Sequence, residues 1–335
     1  MRRSNIFPLH PEDIGLILTY RCQCGCKHCL YNCGPTWQDW ITPEDIRSAL
    51  AMIGSLGEGT QVHITGGEPL LNFSLALQAV EIANELDIPR YIETNAGWCT
   101  NAELAHQRFS TLRQAGLQAI LISCSPFHTE TIPPWRTFMA IDIALQVFGA
   151  HRVIIYLPDW LDHVARFGTS EPIPIERYIQ AYGHDPAGLL FWEGYHLIPG
   201  GRAGYQLGHL IDKQPASAYR QYDCYAEILF SPHSHMDLYG NYISGFCGGL
   251  VLGDWHDLPA LQSNYASGNY SELISILLSQ GPYGLFKMAS SEYGYQQLED
   301  GYAGKCHLCV DIRHHLFRFS QFPELRPHQF YQERH

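Results

Sequence analysis

The chain has 335 residues, 46% hydrophobic and 16% charged, which excludes a mainly disordered protein and leaves room for about two domains. Twenty-one Lys and Arg against 33 Asp and Glu give a net charge of −12, a balance that would repel a phosphate backbone, so no nucleic-acid partner is expected. No apolar run approaches the roughly 18 residues of a membrane span, and Met1-Arg2-Arg3-Ser4-Asn5-Ile6-Phe7-Pro8 lacks the apolar stretch of a secretory signal, so a cytoplasmic protein without a membrane partner is expected.

Between Ile14 and about Pro199 short β-branched runs alternate with helical patterns, the rhythm of β-α units around a parallel sheet. Strands are expected at 14–18, 61–65, 90–94, 118–123, 152–157 and 189–192. The first helix opens on Thr42 as N-cap with Pro43 at the first helical position, and places Ile46, Leu50 and Ile53 on one face. Asn72 can cap a second helix reaching about Leu86, Asn101 a third that stops at Gly116, and Pro134 to Phe148 reads as a fourth. Strand starts recur at close to one β-α unit, about 30 residues, so six units predict an open barrel rather than a closed eight-stranded one. Beyond Pro199 glycine and tyrosine multiply, and a domain boundary is expected near 200–222. A hairpin around Tyr239-Gly240-Asn241, within Phe230 to Tyr242, and a helix over Ser271 to Leu278 follow.

Eleven cysteines, an odd number, argue against a disulfide framework and for metal ligation or thiol chemistry. Five lie within residues 22–33; the rest are Cys99, Cys124, Cys224, Cys247, Cys306 and Cys309. Directly after the first strand, Cys22, Cys26 and Cys29 form a C-x3-C-x2-C set. Three close thiolates can hold three irons of a 4Fe-4S cluster and leave the fourth iron open, whereas a structural zinc needs four ligands. Cys24 and Cys33 fall outside that spacing and read as packing residues.

The spacing resembles that of the radical S-adenosylmethionine superfamily, including an aromatic residue, His28, just before the last cysteine. Thr65-Gly66-Gly67-Glu68-Pro69 resembles the family's GGEP segment, whose backbone contacts the methionine amino group. Thr94 and Asn95 stand where the family contacts the methionine carboxylate or ribose, and Ser123 and Ser125 are ribose-side candidates. All four segments end successive strands, where α/β folds assemble their sites. The resemblance implies a cluster-bound S-adenosylmethionine, cleaved by one electron from an external reductant of flavodoxin or ferredoxin type to a 5'-deoxyadenosyl radical that abstracts hydrogen from an unactivated carbon. The competing reading of the first cysteines is a structural zinc knot with a tight turn at Gly66-Gly67.

Cys224, Cys247, Cys306 and Cys309 give C-x22-C-x58-C-x2-C, four thiols that suit a second 4Fe-4S cluster or a zinc ion. The layout resembles the twitch, or truncated SPASM, extension of the same superfamily, with one auxiliary cluster. Ile198-Pro199-Gly200-Gly201-Arg202-Ala203 resembles the segment leaving the last barrel strand.

Nearer the substrate, Cys124 could return a hydrogen atom and His128 could position substrate or take a proton, against the plainer readings of a buried thiol and a surface histidine. His233, His235 and Asp237 precede the Gly240 turn and invite a metal-site reading, against the plainer one of solvated hairpin residues. The expectation is a partial (β/α)6 barrel over residues 1–210 with an auxiliary-cluster extension over 211–335. Its activity would be modification of a ribosomally made peptide. The alternatives are two-electron dehydrogenation of a sugar or aminocyclitol alcohol, a small-molecule substrate, and a non-catalytic metal-binding scaffold.

Overall fold

A computed structural model describes residues 8–57, 59–156, 158–167, 170–181 and 197–332. Two compact units compose it, one of Asp13–Cys26 and Cys33–His196, the other of Met1–Glu12, Lys27–Asn32 and Leu197–His335.

The first unit carries five strands: β1 (Asp13–Ile17), β2 (Gln61–Thr65), β3 (Arg90–Thr94), β4 (Ala119–Ser123) and β5 (Val153–Tyr156). They pair in parallel, in sequence order, as a partial barrel requires. Each lies within a residue of its expected position; the expected strand at 189–192 falls outside the described residues. Helices follow at Pro43–Ser55, Phe73–Glu85, Ala102–Gln114 and Pro134–Phe148. Their starts are set by short polar side chains that satisfy first-turn N–H groups: Thr42 Oγ1 accepts from Asp45 N at 3.1 Å and Asn101 Oδ1 from Leu104 N at 2.8 Å.

Alternation along the strands sorts the two sheet faces. Ile14, Leu16, Ile64, Ile92, Ile120 and Ile122 are buried, as are Ile46, Leu50 and Ile53 of the first helix. Each such side chain contributes about 1.5–3 kcal/mol on burial. The register puts His63 beside both Gly15 and Tyr91, Glu93 beside Leu121, and Ser123 beside Tyr156. These residues share the other face, which is strongly polar.

In the second unit β6 (His233–Asp237) and β7 (Asn241–Ser244) form the expected hairpin, and β8 (Gly253–Asp254) extends it antiparallel. Asp237 Oδ1 accepts from the backbone of Tyr239 and Asn241 at 2.9 and 3.0 Å, holding the turn that Gly240 completes at φ +84°. His235 and Asp237 are buried rather than solvated: the carboxylate is used up by its own turn, and His235 Nδ1 meets the Tyr31 hydroxyl at 2.8 Å. The helix expected at 271–278 runs from Glu272 to Glu292 through a break at Gly281-Pro282. A further helix, Lys305–Leu316, carries Cys306 and Cys309. It shows no amphipathic stripe because buried residues, His307, Leu308, Val310, Ile312, Arg313 and Leu316, occur nearly all round it. Among the described residues no helix is long and apolar enough to cross a membrane.

Candidate active site

The segment after β1 is pinned at Tyr20 and Cys22 to Gly34, on the far side of the first cysteines. Cys22 N donates to Gly34 O at 3.0 Å and Gly34 N to Tyr20 O at 3.1 Å. Cys22, Cys24 and Cys26 are buried. The Cys22 sulfur accepts from Cys24 N and from Asn95 Nδ2, each at 3.4 Å. Hydrogen bonds with Cys22 and Cys26, together with burial, push the Cys24 thiol far up. Cys24 is thus held protonated.

His28 and Cys29, both half-buried, belong to the second unit with the stretch that follows them. Arg202 N donates to the Cys29 carbonyl at 3.1 Å. Gly201, at φ +50°, abuts the backbone of Cys29 and Leu30 so closely that a Cβ would meet the Leu30 Cα at 2.7 Å. The Gly200-Gly201 pair therefore backs the Cys29-Leu30 stretch.

Gly66 and Gly67 approach backbone in the same way. Gly67 N donates to Thr19 O at 2.8 Å and Glu68 N to Arg21 O at 2.9 Å, and a Cβ on Gly67 would run into the carbonyl of Arg21. The turn after β2 thereby locks onto the loop that presents Cys22. Glu68 points inward, fully buried, and accepts from Leu70 N at 3.0 Å, Thr94 Oγ1 at 2.9 Å and Asn95 N at 2.8 Å. Burial nevertheless pushes its carboxyl up to about 7, against the pull of those donors and of Arg108. The Thr94 hydroxyl also accepts from Trp98 Nε1 at 2.9 Å. Asn95 Oδ1 is bound by Gln23 Nε2 and Gly97 N at 2.6 and 2.9 Å, which aims its NH2 at Cys22. One acid and one amide tie the ends of β2 and β3 to the cysteine loop.

Ser123 lies half-buried at the end of β4. Ser125 caps the short helix Pro126–Thr129, and its hydroxyl meets His128 Nδ1 at 2.7 Å. Burial pushes the His128 imidazole down to about 4, so its ring is neutral at pH 7. Cys124 sits in an apolar cluster with Val164, Ile173 and Tyr178, and burial pushes its thiol up to about 12. That surrounding supports packing, with the S–H retained.

Cys224, Cys247, Cys306 and Cys309 converge within the second unit. Burial pushes Cys247 up to about 11 and Cys306 to about 12, and each is raised further by Cys309 close by. Cys224 moves in the same direction, from burial first and then from Cys309, Cys247 and Cys306. Crowded thiols that resist ionising alone are what a multivalent metal centre relieves. Two cations stand against them. Lys305 bonds Glu227 and the Asp223 carbonyl, and Arg313 reaches Gly248 O at 3.0 Å and the Tyr331 hydroxyl at 2.8 Å while also bonding Cys309. Four half-buried sulfurs with two flanking cations fit an anionic thiolate cluster.

The polar sheet face was not singled out from the sequence. Asp13 accepts from His63 Nδ1 at 2.7 Å and from the Tyr91 hydroxyl at 2.8 Å, and Glu93 accepts from Thr65 at 2.9 Å. The available signal was polar residues at i, i+2, alternating with Val62 and Ile64 at 61, 63, 65 and flanking Ile92 at 91, 93.

The sequence profile of the radical SAM superfamily matches residues 16–133. YydG of Bacillus subtilis (strain 168), named for peptide biosynthesis, is 21% identical over 124 residues, 37% of this chain and 39% of YydG. The chain thus matches well under half the length of that relative. Among solved structures, BtrN in complex with AdoMet and 2-DOIA aligns with a TM-score of 0.48 at 15% identity, over 81% of this chain and 89% of BtrN. Streptococcus suis SuiB bound to S-adenosylmethionine aligns at 0.44 and 13% identity, over 96% of this chain and 77% of SuiB.

Proposed function

The chain is a radical S-adenosylmethionine enzyme, a class that works with a 4Fe-4S cluster and S-adenosylmethionine, and from that premise we propose that it modifies a peptide at an unactivated carbon. Cys22, Cys26 and Cys29 hold the cluster in this reading, three thiolates leaving one iron for the cofactor. The observation that supports it most is the lock between Gly66-Gly67 and the Thr19–Arg21 backbone, together with the Asn95 amide on the Cys22 sulfur. These contacts preorganise the loop before any cofactor binds. The bound pair of cluster and S-adenosylmethionine supplies a 5'-deoxyadenosyl radical.

The chain's own residues do the rest. Asn95 and the backbone of Cys24 hold the Cys22 sulfur by hydrogen bonds, and Glu68 keeps Asn95 in place. His28, Gly66, Gly67, Thr94, Ser123 and Ser125 stand with them as the cofactor-binding set. His128, pushed down to about 4 by burial, is a weak base at pH 7, which favours a positioning role over proton transfer. Cys224, Cys247, Cys306 and Cys309 hold a second 4Fe-4S cluster, supported by their mutual proximity and flanking cations. The peptide substrate is supported by the likeness to YydG.

The test is 5'-deoxyadenosine release by the anaerobically reconstituted enzyme with a reductant, offered extracts enriched in short peptides or in polyols. Release that rises with peptides and is abolished in Cys26→Ala is the expected result. Release stimulated by polyols alone overturns the peptide reading, and unchanged release in Cys26→Ala overturns the cluster assignment.

A further inference from the structure

Within the second unit a cavity of about 530 Å³ lies along β7, β8 and the helix Leu258–Ala266, and no cysteine is among the described residues lining it. Its size falls in the range of ligand pockets, roughly 300–1,000 Å³. Glu324 is in its wall, only 8% exposed, and Glu324 Oε2 has no hydrogen-bond partner among the described residues. A carboxylate oxygen kept dry and unpaired is costly and calls for a partner from outside the fold. Tyr239, Tyr265 and Tyr270 share the wall. The rings of Tyr265 and Tyr270 lie 5.5 Å apart at a 44° tilt. The Tyr265 hydroxyl is committed to the Leu252 carbonyl at 3.1 Å, so its ring is what remains to meet a ligand. Tyrosine rings about a carboxylate attract a cation by their negative faces and by its charge together. The exposed Asp254 adds a second carboxylate, and the exposed Arg326 is the cation of the wall.

We propose that this cavity binds a primary ammonium group, with Glu324 as counter-ion and Tyr265 and Tyr270 packed about it. The group is carried by a lysine side chain or by a free amino terminus. As a dock for substrate the cavity rests on the peptide reading above; ammonium binding itself does not. The net charge of −12 favours the same class of ligand at a distance.

Titration calorimetry on the reconstituted holoenzyme tests it with three probes: N-acetyl-lysine methylamide, glycine methylamide and the neutral N-acetyl-norleucine methylamide. Binding of one or both ammonium probes is expected, with norleucine at least about tenfold weaker, the size of one charged hydrogen bond. The probe that binds identifies the source of the ammonium group. Glu324→Gln should weaken that binding about tenfold, and Tyr270→Ala should weaken it severalfold, with iron content and peptide-independent deoxyadenosine release unchanged in both. Equal binding of norleucine, undetectable binding of both ammonium probes, or unchanged binding in both variants overturns the proposal. Ammonium binding that persists while no peptide stimulates deoxyadenosine release would remove the peptide reading and leave this site standing.

Discussion

The buried carboxylate of Glu68 accepts the backbone N–H of Asn95 at 2.8 Å, and through this bond the end of β2 dictates where the end of β3 lies. Because the Asn95 side chain reaches the Cys22 sulfur, an acid that never touches solvent sets the surroundings of a cysteine expected to bind iron. Removing it in Glu68→Ala leaves three donors, Leu70 N, Thr94 Oγ1 and Asn95 N, without their acceptor. At about 1–3 kcal/mol for a buried group left unsatisfied, the loss should reach at least about 3 kcal/mol. Urea unfolding midpoints of wild type and variant measure it.

The same residue predicts a pH dependence. Its folded-state value of about 7 lies above the roughly 4.3 of an unfolded glutamate, so between those values the folded protein holds the extra proton. Stability from this group therefore falls as pH rises through that window, by up to about 3 kcal/mol. Glu68→Gln, which cannot ionise, should flatten the decline in unfolding free energy between pH 5 and 7.5.

His128 acts in the opposite sense. Burial lowers it to about 4 from an ordinary value near 6.5, so between these the unfolded chain holds the extra proton. Its contribution is present above about pH 6.5 and is lost as pH falls toward 4, about 2 kcal/mol for a half-buried ring. His128→Gln should make the protein relatively more resistant to acid, seen as a smaller drop in melting temperature between pH 7 and pH 5.

Reconstituted wild type should carry about eight irons, and a Cys306→Ala, Cys309→Ala variant about four. Four irons in both proteins, with zinc in the wild type alone, would instead make the second site a zinc centre and remove it from electron transfer.

Gly281 tests the same site from a distance. It sits at φ +60°, and a Cβ there would collide with the Tyr222 carbonyl, while Cys224 N donates to Leu277 O at 3.0 Å one turn earlier. Gly281→Ala adds left-handed strain of about 1–2 kcal/mol to that collision. The loop ahead of Cys224 should be displaced, so iron falls from about eight toward four while the first cluster persists. Elemental analysis with a melting curve distinguishes this from global unfolding.

Much of the first unit was legible because its signals are local. Strand hydrophobicity, the Thr42, Asn72 and Asn101 caps and the Gly116 stop each act within a few residues, and the structure shows the corresponding elements within one or two positions. The helix of Lys305–Leu316 escaped because its buried residues surround it, so no stripe marks the sequence. The helix expected over Ser271 to Leu278 breaks at Gly281-Pro282 and then resumes as far as Glu292. The kink is held by backbone from residue 222, which no window around residue 281 contains.

By itself, then, the sequence determined the cysteine spacing and the parallel β-α frame, since both are written in short-range pattern. Tertiary structure alone decided what the groups around the cysteines are for. Glu68 became a buried latch, Asn95 a donor to sulfur, Asp237 the anchor of its own turn and Glu324 a wall residue with one carboxyl oxygen unpartnered among the described residues. A carboxylate or amide takes its role from its burial and from partners distant in the chain, and neither property is carried by the residue's own neighbours in sequence.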